Sequence, residues 1–474
     1  MKPTVTAIVF LFLLAGLLNA IDVSPKEVGT ATVTLEFKYD FSASSSSQAT
    51  FKTFSYANTS FQKTQVTASM PYSASQDDYG NPVMEFKWQP NTPKTLSLNV
   101  VVQVDYKATT EFDSGADYLS ESTFVKITPE INAKAALLSV GAESDLQKAV
   151  LLSEWVHQNI VYDGFYTDRV DDSATVFTER HGTCDEMSHL LIAMLRSQEI
   201  SARLAGGYVY SGEAWGAHGF VQALIDGKWV SIDPTFNEFG WLDATHVLFG
   251  VGRDQDDLKE SITESVSLTK QPPVIQLTGH ENYPDFVDLK LLASSTEVGS
   301  SSLETLTAEA KNTDSVWRVI PLNLQVPSEP PELAVRSLEP QDKLVLLYPR
   351  QKASVEWKLL FPANLSAGSL YSFDATVRTL GKSEALTFKG KSSVEAQQQT
   401  QIELSDWFSL VKNNVLTLSF SIRNTGNTRA DGELFVVLAG QSKALNISLE
   451  AGEAKTPSLD FEKPEGETAS GEIQ

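Results

Sequence analysis

Residues 181–195 read His-Gly-Thr-Cys-Asp-Glu-Met-Ser-His-Leu-Leu-Ile-Ala-Met-Leu, and this stretch decides how the rest of the chain is interpreted. Thr183, followed three residues later by Glu186, has the pattern of a capping box, which predicts a helix whose first residue is Cys184. Apolar residues then recur on one helical face: Met187, Leu190, Leu191, Met194 and Leu195. The sequence therefore predicts a buried helix that carries a thiol at its N-terminus, a position that lowers the pKa of a thiol.

Cys184 is the single cysteine among 474 residues. One thiol excludes an intrachain disulfide framework, a paired redox motif and a multi-cysteine zinc site. From composition alone, the residue is either a buried apolar side chain, the common fate of a free cysteine, or a thiol retained for its chemistry. Its place at a helix start favours the second interpretation, because a structural cysteine gains nothing there.

A hairpin is predicted downstream of this helix. Asp226-Gly227 between two alternating apolar segments is a strong signal for a two-residue type I′ turn. The register set by this turn pairs Asp233 with Phe220, and His218 points to the same face as Phe220. The imidazole of His218 and the carboxylate of Asp233 are then diagonal neighbours, about 7–8 Å apart at the backbone and within side-chain reach. A nucleophilic thiol needs such a base and orienting acceptor.

Together these residues resemble the transglutaminase-like superfamily, whose papain-related core carries its catalytic triad in the chain order Cys, His, Asp. The resemblance covers residues 140–257 and points to the bacterial and archaeal branch of the family. It implies that Cys184 is the nucleophile, His218 the base and later acid, and Asp233 the orienting carboxylate. The segments that carry it are 182–191, 195–196, 200–203, 207–208, 215–218 and 229–235.

The surroundings of the predicted triad are less fully defined by the sequence. The backbone N–H of Cys184 at the helix start is a natural oxyanion donor, whereas a second donor has no evident position. Trp215 and Thr183 are predicted to line the substrate site. Trp155 is interpreted as a residue of the core.

The remaining histidines and acidic clusters predict no second site. His189 and His181 are interpreted as structural and loop residues. Residues 254–257 lack the spaced oxygen pattern of a calcium loop and are interpreted as a solvated acidic turn. Neither a metal nor a cofactor is expected, because three further histidines have no partners at metal-ligand spacing: His157, His246 and His280.

Changes in composition divide the chain into six segments. Residues 1–20 combine a basic start, a short apolar run and a small-residue cleavage point, which predicts a signal peptide, with an uncleaved anchor as the alternative. The expected fold is multidomain, an α+β papain-like transglutaminase core flanked by all-β sandwich domains. The other segments are an N-terminal β-sandwich at 21–128, the core at 129–265, an Ig-like β-sandwich at 275–390, a smaller one at 398–462 and a disordered tail at 463–474.

The chain is strongly acidic, with 37 Lys and Arg against 60 Asp and Glu and a formal charge of -23. A surface of this sign repels phosphate backbones, so nucleic acid is excluded as a partner in the absence of a basic run. The predicted signal peptide places the protein outside the cell or associated with the cell surface. The sequence does not define its oligomeric state.

The sequence thus favours an exported cysteine peptidase or amidase that acts on protein or peptide amides through a thioester. If a primary amine rather than water resolves the thioester, the same core is a cross-linking transamidase. A further alternative is a non-catalytic cell-surface interaction protein that retains the core, because the flanking sandwiches make up most of the chain.

Overall fold

The computed structural model describes residues 24–43, 48–89, 94–105, 117–164, 169–263, 266–412, 414–438, 440–463 and 471–473. The predicted signal peptide at 1–20 lies outside the described residues. The chain forms two compact units, and the first contains the residues up to Asp285 together with Val316–Pro321 and Leu344–Tyr348. Among the described helices, none has both the length and the apolar character needed to cross a membrane.

The N-terminal part of the first unit forms six strands in which buried and exposed residues alternate. In the sixth strand every second residue from Leu96 to Val104 is buried, and the residues between them are largely exposed. This period of two is what one face of a sandwich core requires. The strands are β1 (Val28–Ala43), β2 (Ala49–Phe54), β3 (Gln62–Ala68), β4 (Ser73–Gln76), β5 (Pro82–Trp88) and β6 (Lys94–Asp105).

The mixed core follows, with its helices before the strands of its main sheet. That sheet is antiparallel, with the order β12-β11-β10-β9-β13, and the fourth helix packs against β10 and β9. The elements are α1 (Pro129–Leu138), α2 (Asp145–Asn159), β7 (Val161–Tyr162), α3 (Ser173–Glu179), β8 (His181–Gly182), α4 (Cys184–Ser197), β9 (Ala202–Tyr210), β10 (Trp215–Ile225), β11 (Lys228–Asp233), β12 (Glu238–Phe239) and β13 (Val247–Gly252).

The predicted hairpin is formed by β10 and β11. Val221 lies opposite Ile232, which is the predicted register. Asp226 and Gly227 have φ values of 51° and 73°, as a type I′ turn requires at both central positions. The register confirms that His218 and Asp233 start from the same region of the sheet.

After β13 the chain returns to the first sandwich. The returning strands are β14 (Ser261–Ile262), β15 (Val266–Lys270) and β16 (Val274–Asn282). They complete two sheets, one of order β15-β1-β6-β3 in which β16 also pairs with β1, and one of order β14-β2-β5-β4. The sequence prediction placed these three strands in the end of the core, a linker and the start of an Ig-like domain, whereas the structure pairs them with strands of the N-terminal sandwich.

Two buried amides join the first sandwich to the edge of the core sheet. Gln62 donates to the Leu248 carbonyl at 2.7 Å and accepts from the Leu248 N–H at 2.9 Å. Asn81 makes the same pair of bonds with Val251, at 2.6 and 2.7 Å. The outer edge of β13 thus has its backbone groups satisfied by side chains, as a neighbouring strand would satisfy them.

Residues 287–390 form two sheets that are antiparallel except where Glu297 and Val298 pair in parallel with Lys389 and Gly390. Nine strands form one sheet of order β17-β19-β23-β21 and another of order β18-β25-β24-β20-β22. Their bounds are β17 (Val287–Ala293), β18 (Glu297–Val298), β19 (Leu303–Asn312), β20 (Arg318–Gln325), β21 (Arg336–Ser337), β22 (Asp342–Leu347), β23 (Lys352–Leu360), β24 (Tyr371–Thr379) and β25 (Lys382–Gly390).

Seven further strands form the C-terminal sheets around a small apolar cluster that includes Phe420, Leu449 and Phe461. Gly471–Ile473, inside the segment predicted to be disordered, is a strand paired with Val436–Leu438. The Ig-like character of the two C-terminal segments stays a prediction, whereas an α+β core flanked by antiparallel sheets is confirmed. The strands are β26 (Ile402–Lys412), β27 (Val415–Asn424), β28 (Ala430–Leu438), β29 (Gln441–Leu449), β30 (Ala454–Lys455), β31 (Ser458–Glu462) and β32 (Gly471–Ile473).

Candidate active site

Helix α4 begins at Cys184, as the sequence predicts. Thr183 is the N-cap, and its backbone N–H donates to the Glu186 carboxylate at 2.9 Å. Its hydroxyl also donates to the same carboxylate, and Thr183 and Glu186 form the predicted capping box. Gly182 is required for this arrangement, because a Cβ at that position would lie 2.5 Å from the Cβ of Glu186. The buried Glu186 therefore sets the position of the thiol at the helix start.

The sulfur of Cys184 lies between the helix start and strand β10. The backbone N–H of Gly219, the residue directly after His218, donates to the sulfur. The Asp185 carboxylate lies 4.0 Å from the sulfur, and its Oδ1 would be 2.2 Å from a Cβ on Gly219. The Ser188 hydroxyl also donates to the Gly219 carbonyl at 3.0 Å, so the first turn of α4 is tied to β10 beside His218.

The electrostatics of the thiol differ from the sequence expectation. Burial and the neighbouring Asp185 raise the pKa of Cys184 well above its ordinary value, although the Gly219 N–H opposes them. Burial, followed by repulsion from Glu186, raises the pKa of Asp185 to about 6. A helix N-terminus alone lowers the pKa of a thiol. Here burial and the acidic neighbours together favour the protonated thiol.

His218 and Asp233 form a buried hydrogen-bonded pair. The Nε2 of His218 lies 2.7 Å from Oδ2 of Asp233, and Asp233 is fully buried. The other carboxylate oxygen accepts the backbone N–H groups of Thr235 and Phe236 at 2.7 and 3.1 Å. Burial opposes ionisation of Asp233, but His218 and His246 outweigh it and hold its pKa far below the usual range. Because Asp233 is ionised, its carboxylate accepts a hydrogen bond from the N–H at Nε2 of His218. Nδ1 of His218 then carries no proton and is an acceptor.

His246 is a neighbour of the pair that the sequence prediction missed. Its Nε2 lies 2.9 Å from the same Oδ2 of Asp233 that His218 contacts. Its Nδ1 lies 3.1 Å from the carbonyl oxygen and 3.2 Å from the carboxylate of Asp243. His246 precedes β13, and no spacing in the sequence indicates that this residue returns to the end of β11.

Two clusters of described residues are close enough to hold a metal ion: His218, Asp233 and His246, and Glu238, Asp243 and His246. In each cluster one ligand atom from every residue lies within 4.8 Å of the others. The ring nitrogens of His246 and Nε2 of His218 already contact oxygen acceptors, so hydrogen bonds account for this arrangement. The absence of a metal or cofactor stays a prediction.

Tyr162 is a second residue that the sequence prediction missed. Tyr162 on β7 pairs with Gly182 on β8, and Gly182 lies two residues before Cys184 in the chain. The side chain of Tyr162 is exposed. Burial of its hydroxyl, followed by the negative charges of Cys184 and Asp185, raises the pKa of Tyr162 to about 12. Its hydroxyl therefore stays protonated at neutral pH, on a ring accessible from solvent.

The predicted site-lining residues have different surroundings. Thr183 lies at the helix start next to Cys184. Trp215 lies three positions before His218 on the same strand, so the two side chains start from opposite faces. Its ring packs against Tyr210, at 5.7 Å between centroids, and against the core shared with the first sandwich. Contact of either residue with a substrate stays a prediction. Trp155 is buried and packs on Phe177, which agrees with a core role.

The other titratable residues have structural surroundings. His189 is fully buried and stacks on Phe124, at 5.4 Å between ring centroids. His157 contacts the Pro234 carbonyl at 2.9 Å, whereas His181 and His280 are exposed. Asp254 is not solvated as predicted: it is 1% exposed and accepts the backbone N–H of Phe124 at 2.9 Å.

Comparison with known proteins agrees with the predicted resemblance. Residues 133–234 match the model of the transglutaminase-like superfamily, which confirms a domain of this kind in the chain. The match ends just after Asp233, and it includes Cys184 and His218. No curated protein matches the chain.

Solved structures similar to this chain include the following three. A candidate cysteine protease from Cytophaga hutchinsonii is 20% identical, with a TM-score of 0.42 and coverage of 54% of this chain and 93% of its own. Red sea bream transglutaminase is 11% identical, with a TM-score of 0.21 and coverage of 94% and 92%. A candidate protease from Parabacteroides distasonis is 13% identical, with a TM-score of 0.21 and coverage of 63% and 64%.

Proposed function

We propose that this protein is a thiol-dependent acyl-transfer enzyme that hydrolyses amide bonds in proteins or peptides. The observation that carries the proposal is the hydrogen bond between His218 and Asp233. The residue directly after His218 is Gly219, whose backbone N–H contacts the sulfur of Cys184. A nucleophile, a base and an orienting carboxylate are the three groups that such a reaction requires.

The proposed reaction has two stages. Nδ1 of His218 takes the thiol proton as the sulfur of Cys184 adds to the amide carbonyl. The C–N bond then breaks, and the imidazolium returns that proton to the leaving amine, which leaves a thioester on the sulfur. Water, deprotonated by His218, attacks the thioester, releases the carboxylic acid and restores the thiol.

The surroundings of the thiol suggest how the reaction is supported. The first backbone N–H of α4 is a donor for the oxyanion that forms on the carbonyl oxygen. The hydroxyl of Tyr162, protonated at neutral pH, supplies a second donor in this proposal. The raised pKa of Cys184 favours proton transfer to His218 during attack over a preformed thiolate.

The test is alkylation of the native protein with iodoacetamide, followed by intact mass. Because the chain has one cysteine, each adduct reports Cys184. We expect one adduct that is absent in Cys184→Ala and forms at least about tenfold more slowly in folded His218→Ala. Equal rates in His218→Ala and in the native protein would contradict a base role for His218.

Hydrolysis and transamidation are separated by products. Incubation of peptide mixtures with the native protein should give new carboxyl termini, whereas cross-linking would incorporate a labelled primary amine into glutamine side chains. Cys184→Ser is the folded control for both readouts. If the native protein gives neither product, the alternative of a non-catalytic interaction protein is favoured.

Export is part of the same proposal. A leader within residues 1–20 would place the enzyme outside the cell, where exposed protein chains are available as substrates. N-terminal sequencing of protein recovered from the medium should begin after residue 20. Recovery from the cytoplasm alone, with residues 1–20 intact, would contradict export.

A further inference from the structure

Asp233 is shared by two imidazole rings. Oδ2 of Asp233 lies 2.7 Å from Nε2 of His218 and 2.9 Å from Nε2 of His246. The two ring centroids are 5.4 Å apart, and both histidines are buried, at 8% and 0% exposure. The proposed reaction uses only the first of these rings.

The contacts of His246 define its protonation state. Nε2 faces the Asp233 carboxylate, and Nδ1 lies 3.1 Å from the Asp243 carbonyl oxygen and 3.2 Å from its carboxylate. Carbonyl and carboxylate oxygens accept hydrogen bonds, so each ring nitrogen must carry a proton to satisfy its contact. His246 is therefore an imidazolium, whereas His218 needs a proton only on Nε2.

Charged groups on the surrounding elements agree with this assignment. The Oδ1 atoms of Asp233 and Asp243 accept backbone N–H groups, and their Oδ2 atoms face the ring nitrogens of His246. Burial, followed by Asp243, raises the pKa of Glu238 on β12 to about 8, so this carboxyl is mainly neutral at neutral pH. Lys26 faces Glu238 from the N-terminal segment, and Asp185 on α4 faces His218. Two carboxylates thus enclose one imidazolium.

We propose that His246 is a positioning residue for the general base: it fixes the Asp233 carboxylate and disfavours a second positive charge on His218. This inference rests on the proposed function of His218. Protonation of His218 would place two imidazolium rings on one carboxylate, and like charges at this distance oppose each other. His246 therefore keeps Nδ1 of His218 available for the thiol proton at lower pH than Asp233 alone would allow.

The protonation state is tested directly by ¹⁵N NMR of histidine-labelled full-length protein. One of the six histidines should keep protons on both ring nitrogens from pH 5 to pH 9, a range in which an ordinary imidazole titrates. Its ring signals are assigned to His246 through the backbone of that residue, because the rings of His218 and His246 both lie near Phe220 and Phe236. If no histidine stays doubly protonated throughout this range, the inference is wrong. This measurement needs no variant and no activity.

The effect on the base is tested by the pH dependence of Cys184 alkylation with iodoacetamide. His246→Gln removes the positive charge and retains an N–H donor for Asp233. As the pH falls, the alkylation rate of Cys184 should decrease, and we expect the pH at which it is half its maximum (the midpoint) to rise by about one unit or more in His246→Gln. A purely structural role would lower the rate at every pH and leave the midpoint in place, and that result would overturn the inference. His280→Gln, on exposed β16, is the matched control and should keep the native midpoint.

The two arms separate this inference from the proposed function. If alkylation of the native protein does not depend on His218, the proposed function fails, whereas the NMR result still decides whether His246 is an imidazolium. If His246→Gln does not fold, the NMR measurement on the native protein decides alone. A doubly protonated His246 combined with an unchanged midpoint would overturn the coupling to His218.

Discussion

Asp185 is the residue that most directly opposes ionisation of the thiol. Its carboxylate lies 4.0 Å from the sulfur of Cys184, and after burial it is the largest cause of the raised thiol pKa. Asp185→Asn removes this charge and retains the shape of the side chain. We expect iodoacetamide to alkylate Cys184 about three- to tenfold faster at pH 7 to 8, because a lower thiol pKa gives more thiolate.

The pH dependence of this effect is a second readout. Because the pKa of Asp185 is about 6, the difference between variant and native protein should decrease below pH 6, where the native carboxyl becomes neutral. Asp226→Asn at the hairpin turn is the matched control, since asparagine also adopts the left-handed conformation of that position. Equal or slower alkylation in Asp185→Asn would contradict this account of the thiol.

His189 is a buried imidazole whose two ring nitrogens have no hydrogen-bond partner among the described residues. Burial lowers its pKa from 6.5 to about 4. The unfolded chain therefore binds a proton more readily, so the contribution of His189 to stability is complete above about pH 6.5 and is lost as the pH falls to 4. A shift of this size corresponds to about 3 kcal/mol. His189→Leu should remove this acid-dependent loss.

Calorimetry at a series of pH values tests the His189 prediction. The melting temperature of the variant should exceed that of the native protein by an amount that grows between pH 7 and pH 4. His280→Leu, at an exposed position, should follow the native curve. A constant difference across this range would show that His189 is not linked to acid unfolding.

At the scale of elements, local signals predicted much of the site. The capping pattern at Thr183 and Glu186 correctly set the start of α4, and Asp226-Gly227 correctly set the hairpin register. Both patterns are predictable from sequence because the backbone geometry of a helix start or a tight turn is set by residues that are neighbours in the chain. The contact of His246 with Asp233 could not be predicted in this way, because the segment between them is irregular and carries no period.

The edge of β13 is an element that depends on two side chains. Gln62 bonds to both backbone groups of Leu248, and Asn81 bonds to both backbone groups of Val251. Alanine at either position leaves a buried N–H and a buried carbonyl without partners. We expect each substitution to lower the free energy of unfolding of the first unit by about 2–4 kcal/mol, measured by calorimetry or urea unfolding.

Exposed residues of the same types provide the controls for these amides. Gln65→Ala on β3 and Asn99→Ala on β6 change the same chemical groups at the sandwich surface, and each should alter stability by less than about 0.5 kcal/mol. If Gln62→Ala and Asn81→Ala are as mild as these controls, the amides do not satisfy β13 in solution.

At the scale of the molecule, the sequence indicated β-rich segments on both sides of a mixed core, but not which strands pair. In residues 274–282 apolar and polar residues alternate as they do in the strands that follow. The sequence prediction therefore assigned this segment to the next sandwich. The structure pairs them with β1 instead, for example Leu35 with Ile275. Pairing between strands so far apart in the chain is set by packing, which the period of one strand does not encode.

This pairing predicts that β15 and β16 unfold with the first sandwich. Denaturant-dependent hydrogen exchange of the full-length protein, read by mass spectrometry, compares peptides from 266–282 with those from 94–105 and 303–312. Because β1 is bonded to β15, β16 and β6, the first two sets should lose protection at the same denaturant concentration. Strand β19 belongs to the described sheet of β17, β23 and β21. Its peptides should therefore lose protection at a different denaturant concentration. If peptides from 266–282 instead lose protection together with those from 303–312, β15 and β16 do not unfold with the first sandwich, and the prediction is wrong.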